Sequence, residues 1–188
     1  LVAKGHHFPQ LATVGVVDGD LSLASGDPRA AERTFQLLYQ VTGRAGREEG
    51  VTGRGFVQTH MPEHPVMKAI ISGDRDSFLA SEIEDRRDAG MPPFGRLAAV
   101  IISAKTKPEA EHFAKAFAIA SPRSHKISVL GPAEAPLALI RGRHRYRLLV
   151  KAARDADLQA YLRYWLERAP AAKGSVKLSV DIDPYNFL

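Results

Sequence analysis

The sequence predicts an α/β segment followed by an α+β domain, and three observations carry that prediction. A β-branched run, a long amphipathic stretch and a second short strand follow one another within residues 11–59. Residues 91–95, Met-Pro-Pro-Phe-Gly, form a stiff connector, because each proline fixes its own φ and biases the residue before it away from helix. Beyond the connector the apolar pattern switches between periods 2 and 3.6 in the order β-α-β-β-α-β. The expected division is 1–60, a helical linker 61–94, and a C-terminal domain 95–188.

Residues 11–17, Leu-Ala-Thr-Val-Gly-Val-Val, read as a buried parallel strand that ends in the turn Asp18-Gly19-Asp20. Asp18 and Asp20 either cap backbone N–H groups there or face a ligand at the strand end. Asp27-Pro28 reads as N-cap and first helical residue of a helix over 28–44, with Phe35, Leu38 and Val41 inward and Leu37 at the margin. Residues 54–59 are a second strand. His64-Pro65 opens one short helix, Ser72-Gly73 breaks it, and a charged helix runs from about Asp74 to Asp88. His60 and His64 are four apart, but Pro62 between them prevents the helix that would hold a metal pair, so no metal site is expected.

In the C-terminal domain, strands are expected at 97–104, 127–130, within 139–150 and at 176–182, with helices at 108–120 and 155–169. The helices face inward through Ala110, Phe113, Ala114, Phe117, Leu158, Tyr161, Leu162 and Trp165. This order is a split βαβ, ferredoxin-like layout.

The 188 residues contain no cysteine, which excludes disulfides and cysteine-ligated zinc in this chain. No apolar run is long enough to span a membrane. Charge is uneven: 1–60 is neutral, 61–95 carries −3, and 96–188 carries +8, summing to the overall +5. A basic C-terminal domain points to a polyanion, most simply nucleic acid.

Residues 40–47 read Gln-Val-Thr-Gly-Arg-Ala-Gly-Arg. Arg44 and Arg47, three apart and each preceded by glycine, would leave one side of a helical turn as a pair of arginine fingers for a phosphoryl group held elsewhere. Neither a G-x-x-x-x-G-K-[ST] loop nor an Asp-Glu box is present, so the chain would supply only half of such a site. A second basic feature is Arg141-Gly-Arg143-His-Arg145-Tyr-Arg147. Arg141 and Arg143 fall in the approach loop, with Gly142 lending flexibility. Arg145 and Arg147 face one side of a strand while Tyr146, Leu148 and Val150 face the core. That reads either as a grip on a phosphate backbone without a base-reading group or as a solvated edge strand guarded by charge. Arg154 and Gln159 offer a docking patch for a partner tail. Asp181 and Asp183 read as strand-end charges.

Gln40 to Arg47 resembles motif VI of superfamily 2 helicases. Lys4-Gly5-His6-His7-Phe8-Pro9 looks like their motif V in the version found in PriA-type primosomal helicases. Gln58-Thr59-His60-x-Pro62-Glu63-His64-Pro65 and Asp181-Ile182-Asp183-Pro184 resemble the same family, so the resemblance covers nearly the whole chain. It implies that residues 1–60 end the second RecA-like motor lobe, in a chain that starts inside a motor domain. Residues 95–188 would be a DNA-binding domain similar to a small-subunit ribosomal protein. Arg47 and Arg44 would reach the ATP γ-phosphate, and Gln40 would position water or relay nucleotide state. Gly5 would admit the nucleotide close to the backbone, and His7 stands where the wider superfamily often has an aspartate on the ribose.

The implied parent is a bacterial, cytoplasmic 3′-to-5′ helicase that restarts replication at stalled forks. It would use ATP and Mg²⁺, and carry zinc in a cysteine module upstream of residue 1. Its partners would be forked and single-stranded DNA, single-stranded DNA-binding protein and other primosome proteins. The rivals are a catalytically silent nucleic-acid-binding module, which has no use for Arg44 and Arg47, and a RecG-like translocase, against which KGHHFP and the DIDP tail argue.

Overall fold

A computed structural model of the chain describes residues 11–23, 27–46 and 52–185. It divides into two compact units, Leu1–Glu82 and Ile83–Leu188. The expected connector at 91–95 falls within the second.

In the first unit, β1 (Thr13–Val16) pairs in parallel with β2 (Arg54–Val57), Thr13 opposite Arg54 and Val16 opposite Val57. The long connection between them contains α1 (Ala30–Thr42), as parallel pairing requires. Then follow α2 (Pro65–Ser72) and α3 (Arg75–Asp88). Phe35 and Leu38 of α1 bury against Val66, Met67 and Ala69 of α2 and Phe78 of α3, with Phe35 and Phe78 stacked at 4.6 Å.

Two details of α1 differ from expectation. Arg29, not Asp27, occupies the N-cap position, and its side chain makes no capping bond. The Asp27 carboxylate instead accepts the Arg29 N–H at 2.9 Å and pairs with Arg33 at 2.9 Å, serving the helix from outside it. At the other end, Gly43 closes the helix, so Arg44 lies in the following turn rather than on the helix. That turn is tied down by Gly46, at φ 68°, whose N–H donates to Leu11 O. A Cβ on Gly53 would lie 2.4 Å from Ala45 C, so only glycine lets the strand approach pass beneath the turn.

The second unit is a four-stranded antiparallel sheet of order β4-β5-β3-β6. Its elements are β3 (Gly95–Ala104), α4 (Lys107–Ile119), β4 (Ile127–Ile140), β5 (Arg143–Ala153), α5 (Leu158–Arg168) and β6 (Lys177–Ile182). Both helices pack on one face. There Val100, Ile102, Leu148 and Val150 meet Phe113, Phe117, Leu158, Leu162 and Trp165. Trp165 is fully buried, lies 4.4 Å from the Phe117 ring and donates its Nε1–H to Phe117 O at 3.0 Å. Asp157 caps α5 by accepting the Ala160 N–H.

The strand expected at 127–130 runs ten residues further, to Ile140. Gly131-Pro132 reads as a break in sequence, yet it falls where the register shifts between Leu130 and Ala133. β4 is an edge strand, so the N–H that proline lacks costs no ladder bond. The hairpin closes at Arg141 and Gly142, with φ 49° and 70°, the left-handed pair that suits a two-residue turn. Arg143 therefore belongs to β5 and not to an approach loop. Among the described residues, no helix is long and apolar enough to cross a membrane.

Candidate nucleic-acid interface

Strand alternation places the basic side chains. Tyr146, Leu148, Val150 and Ala152 of β5 point into the helix-covered core. Arg143, Arg145, Arg147, Leu149 and Lys151 therefore stand on the opposite face. Beside them on β3 lie Ser103, Ile101, Ala99 and Leu97, opposite Arg145, Arg147, Leu149 and Lys151 respectively. Leu97 and Ala99 are buried there with Met91 and Leu149, so this face carries an apolar patch at one end and cations along its length.

The four predicted arginines have different surroundings. Arg141 is exposed in the hairpin turn. Arg143 is half-buried and braces the sheet. Its Nε–H donates to Ser103 Oγ at 3.2 Å, and its Nη2 donates to Ser103 O at 2.9 Å and to Ser175 O. Ser175 is held in turn by Glu109, which accepts its hydroxyl at 2.7 Å, and its Oγ accepts the Lys105 N–H at 2.8 Å. Arg143 thus spends its donors joining the end of β3 to the approach to β6. Arg145 points its Nη1 at Leu137 O, 3.5 Å away, alongside the second β4 bulge. Arg147 is half-buried beside Ile101.

Behind this face, the buried Tyr146 hydroxyl lies 3.4 Å from Glu134 Oε1. Burial, then the Glu111 and Glu134 carboxylates, push its pKa up. Glu134 is held below the usual carboxylate range by its hydrogen bond and ion pair with Lys107.

In the first unit, Gln40 is exposed on α1 and Arg44 is half-buried in the turn after it. Arg47, Gly5, His7 and the rest of 1–10 lie outside the described residues. The stretch Gln58 to Pro65 has a structural account that its sequence did not suggest. Asp20 accepts the Thr59 hydroxyl at 2.5 Å and the His60 N–H at 2.6 Å, and Gly19 donates to Gln58 O. The ends of β1 and β2 are stapled together this way. The Thr59 hydrogen bond, then the His60 N–H, hold Asp20 below its ordinary pKa of 3.8. His64 Nδ1 accepts the Val66 N–H and caps α2. Asp183, at φ 54°, pairs with Arg96 at 2.9 Å, donates its own N–H to Leu97 O and accepts the Leu97 N–H on its carboxylate Oδ1, so the tail locks β6 onto β3.

A family model described as "Primosomal protein N C-terminal domain" matches residues 87–185. The chain belongs to that family. The match lies within the second unit, from the last two residues of α3 onward. Curated relatives match over the whole chain. "Replication restart protein PriA" of Rickettsia felis is 41% identical over 189 residues. The proteins of the same name from Bacillus subtilis and Synechocystis are 36% and 35% identical. The chain spans 28%, 24% and 22% of the length of these three relatives.

Proposed function

We propose that this chain is the C-terminal portion of an ATP-dependent 3′-to-5′ DNA helicase that recognises stalled forks and restarts replication. The observation that carries the reading is the row of cations along β5, on the sheet face opposite both helices, in a chain of the primosomal family. Such a row meets phosphates without reading bases, which suits recognition of a fork by shape. The sheet order supports reading the second unit as ferredoxin-like. The β1-α1-β2 unit, with its parallel pair, supports reading the first as the end of a RecA-like lobe.

ATP and Mg²⁺ would be held by a phosphate-cradling loop and an acidic box outside these residues, since neither is in the sequence. This chain fits the complementary half. In this reading Arg44, in the turn after α1, and Arg47, three residues on in sequence, would contact the γ-phosphate, Gln40 would position water or relay nucleotide state, and Gly5 and His7 would take the nucleotide roles that the family resemblance implies. Bound nucleotide supplies the phosphoryl group, and the arginines supply positive charge where negative charge develops. No residue here would hold zinc by cysteine; the cysteine module would lie elsewhere in the parent. Forked and single-stranded DNA, single-stranded DNA-binding protein and other primosome proteins are the proposed partners.

The test is Arg47→Ala in the full-length protein. Arginine fingers are worth roughly 10³–10⁵ in turnover, so DNA-stimulated ATPase should vanish while fork binding persists. Near wild-type turnover would refute the finger assignment.

A further inference from the structure

We infer that the end of the β4–β5 hairpin is a wedge: Leu137 and Leu139 insert at the junction where a nucleic-acid duplex opens into single strands, beside phosphates held by the basic row. The inference rests on the reading of β5 as a nucleic-acid contact.

β4 is an edge strand of 14 residues. Natural edge strands are ordinarily guarded by charge. From Ile127 to Ile140 this one carries a single charged residue, Glu134, and that carboxylate is ion-paired with Lys107. Close to the turn, Leu137 is 50% exposed and Leu139 59% exposed. Two large apolar groups so close together on an unguarded edge mark a contact surface.

The backbone aims them. Glu134 lies opposite Tyr146 and Leu139 opposite His144, so the four residues 135–138 face the single residue Arg145. A bulge redirects side chains and interrupts pairing. Within it Ala135 is buried while Pro136 and Leu137 are exposed. The bulge is braced from both sides. The Tyr146 hydroxyl lies 3.4 Å from Glu134 Oε1, and Arg145 Nη1 points at Leu137 O, 3.5 Å away.

Two features favour nucleic acid over an added protein strand. Residues 135–153 contain four arginines and a lysine but no carboxylate, and the exposed Arg141 follows Leu139 by two residues. Apolar groups set among cations meet a polyanion with apolar base faces better than they meet another apolar protein edge. The bulge also breaks the edge between Glu134 and Leu139, so an added strand finds no continuous ladder there and the hairpin end offers side chains instead. Leucine and proline are among the residues that nucleic-acid-bending proteins push between base steps. Unstacking costs least at a base that is already poorly held, as is the last pair of a duplex at a fork. The ligand is therefore a duplex–single-strand junction, its phosphates on Arg141 and the β5 row and its terminal pair against the two leucines.

The experiment uses the full-length protein without nucleotide on forked DNA carrying a fluorescent adenine analogue that brightens when unstacked. The analogue sits either in the last pair before the fork or in the middle of the duplex. Wild type should brighten the first and leave the second dark. Leu137→Ser with Leu139→Ser should lose that brightening at saturating protein, while its fork binding keeps the wild-type salt slope, because neither leucine meets a phosphate. Both leucines are exposed, so its melting should match wild type. Leu137→Met with Leu139→Met retains an apolar wedge and should retain the brightening. Arg141→Gln should do the reverse of the serine pair, flattening the slope by about 0.7–0.9 and keeping the brightening at saturation. Equal brightening by wild type and the serine variant, or fork binding by wild type without brightening, overturns the wedge and leaves the β5 contact standing. No fork binding by wild type overturns both. A serine variant that brightens the junction like wild type but changes the protein's oligomeric state gives the leucines to a second copy and overturns the proposal.

Discussion

Arg143→Ala separates architecture from binding within a single basic row. The side chain directs three of the five N–H donors of a guanidinium at Ser103 Oγ, Ser103 O and Ser175 O. Truncation leaves two backbone carbonyls and a hydroxyl at the sheet end, where water refills part of the site. Charged hydrogen bonds contribute roughly 1.5–3 kcal/mol each before such refilling, so a net loss of about 2–3 kcal/mol is expected. The second unit holds 106 residues (188 − 82). At about 4–8 °C per kcal/mol for a domain near this size, its melting temperature should fall by roughly 10–20 °C. The reporter is built in, because Trp165 is the chain's single tryptophan and is fully buried in this unit. Arg141→Gln is the counterpart. It lies exposed in the turn, so its melting should move by less than about 0.5 kcal/mol, while the salt slope for single-stranded DNA should flatten by about 0.7. If Arg143→Ala melts within 3 °C (about 0.5 kcal/mol) of wild type and instead loses one phosphate from the slope, the bracing role is wrong.

Three further outcomes follow from the same geometry. Asp20 titrates below 3.8 when folded, so its staple is fully present above that value and is lost as pH falls through the folded value. Asp20→Asn should therefore speed hydrogen exchange at the His60 amide at neutral pH, with the difference from wild type shrinking in acid; an equal difference at both would refute the staple. Gly95→Ala places a Cβ 2.2 Å from Gly90 O and 2.9 Å from Ala152 O, both backbone atoms, and should destabilise the second unit by about 1–3 kcal/mol in denaturant melts. Trp165→Ala should cost about 3–5 kcal/mol and abolish the cooperative far-UV transition of that unit, whereas Trp165→Phe should keep it.

Legibility varied with how local each feature is. The break at Ser72-Gly73 and the His64-Pro65 helix start were readable, because caps and left-handed glycines act on neighbouring residues. The inward faces of α4 and α5 were readable because period 3.6 exposes them. The strand expected at 127–130 stops short of the observed end of β4; Gly131-Pro132 follows it with a turn signal that only the edge position of β4 in the sheet makes harmless. Arg44 was placed on a helix because nothing in a linear pattern shows that the turn is pinned by Leu11 O. Lys151 was within reach: extending the alternation two steps past Arg147 finds it.

By itself, the sequence determined the order of elements, the side of each that is apolar, the basic character of the last 93 residues and the motifs that tie the chain to its family. These depend on spacing and composition, which a chain carries before it folds. The tertiary structure decided what each charge does. Arg143 became a brace because sheet pairing brings Ser103 and Ser175, 40 and 32 residues away, to its guanidinium. Asp20 became a staple because parallel pairing sets Thr59 beside it across 39 residues. A side chain's partner is chosen by the distances that folding closes, and those distances are not written in the order of the residues.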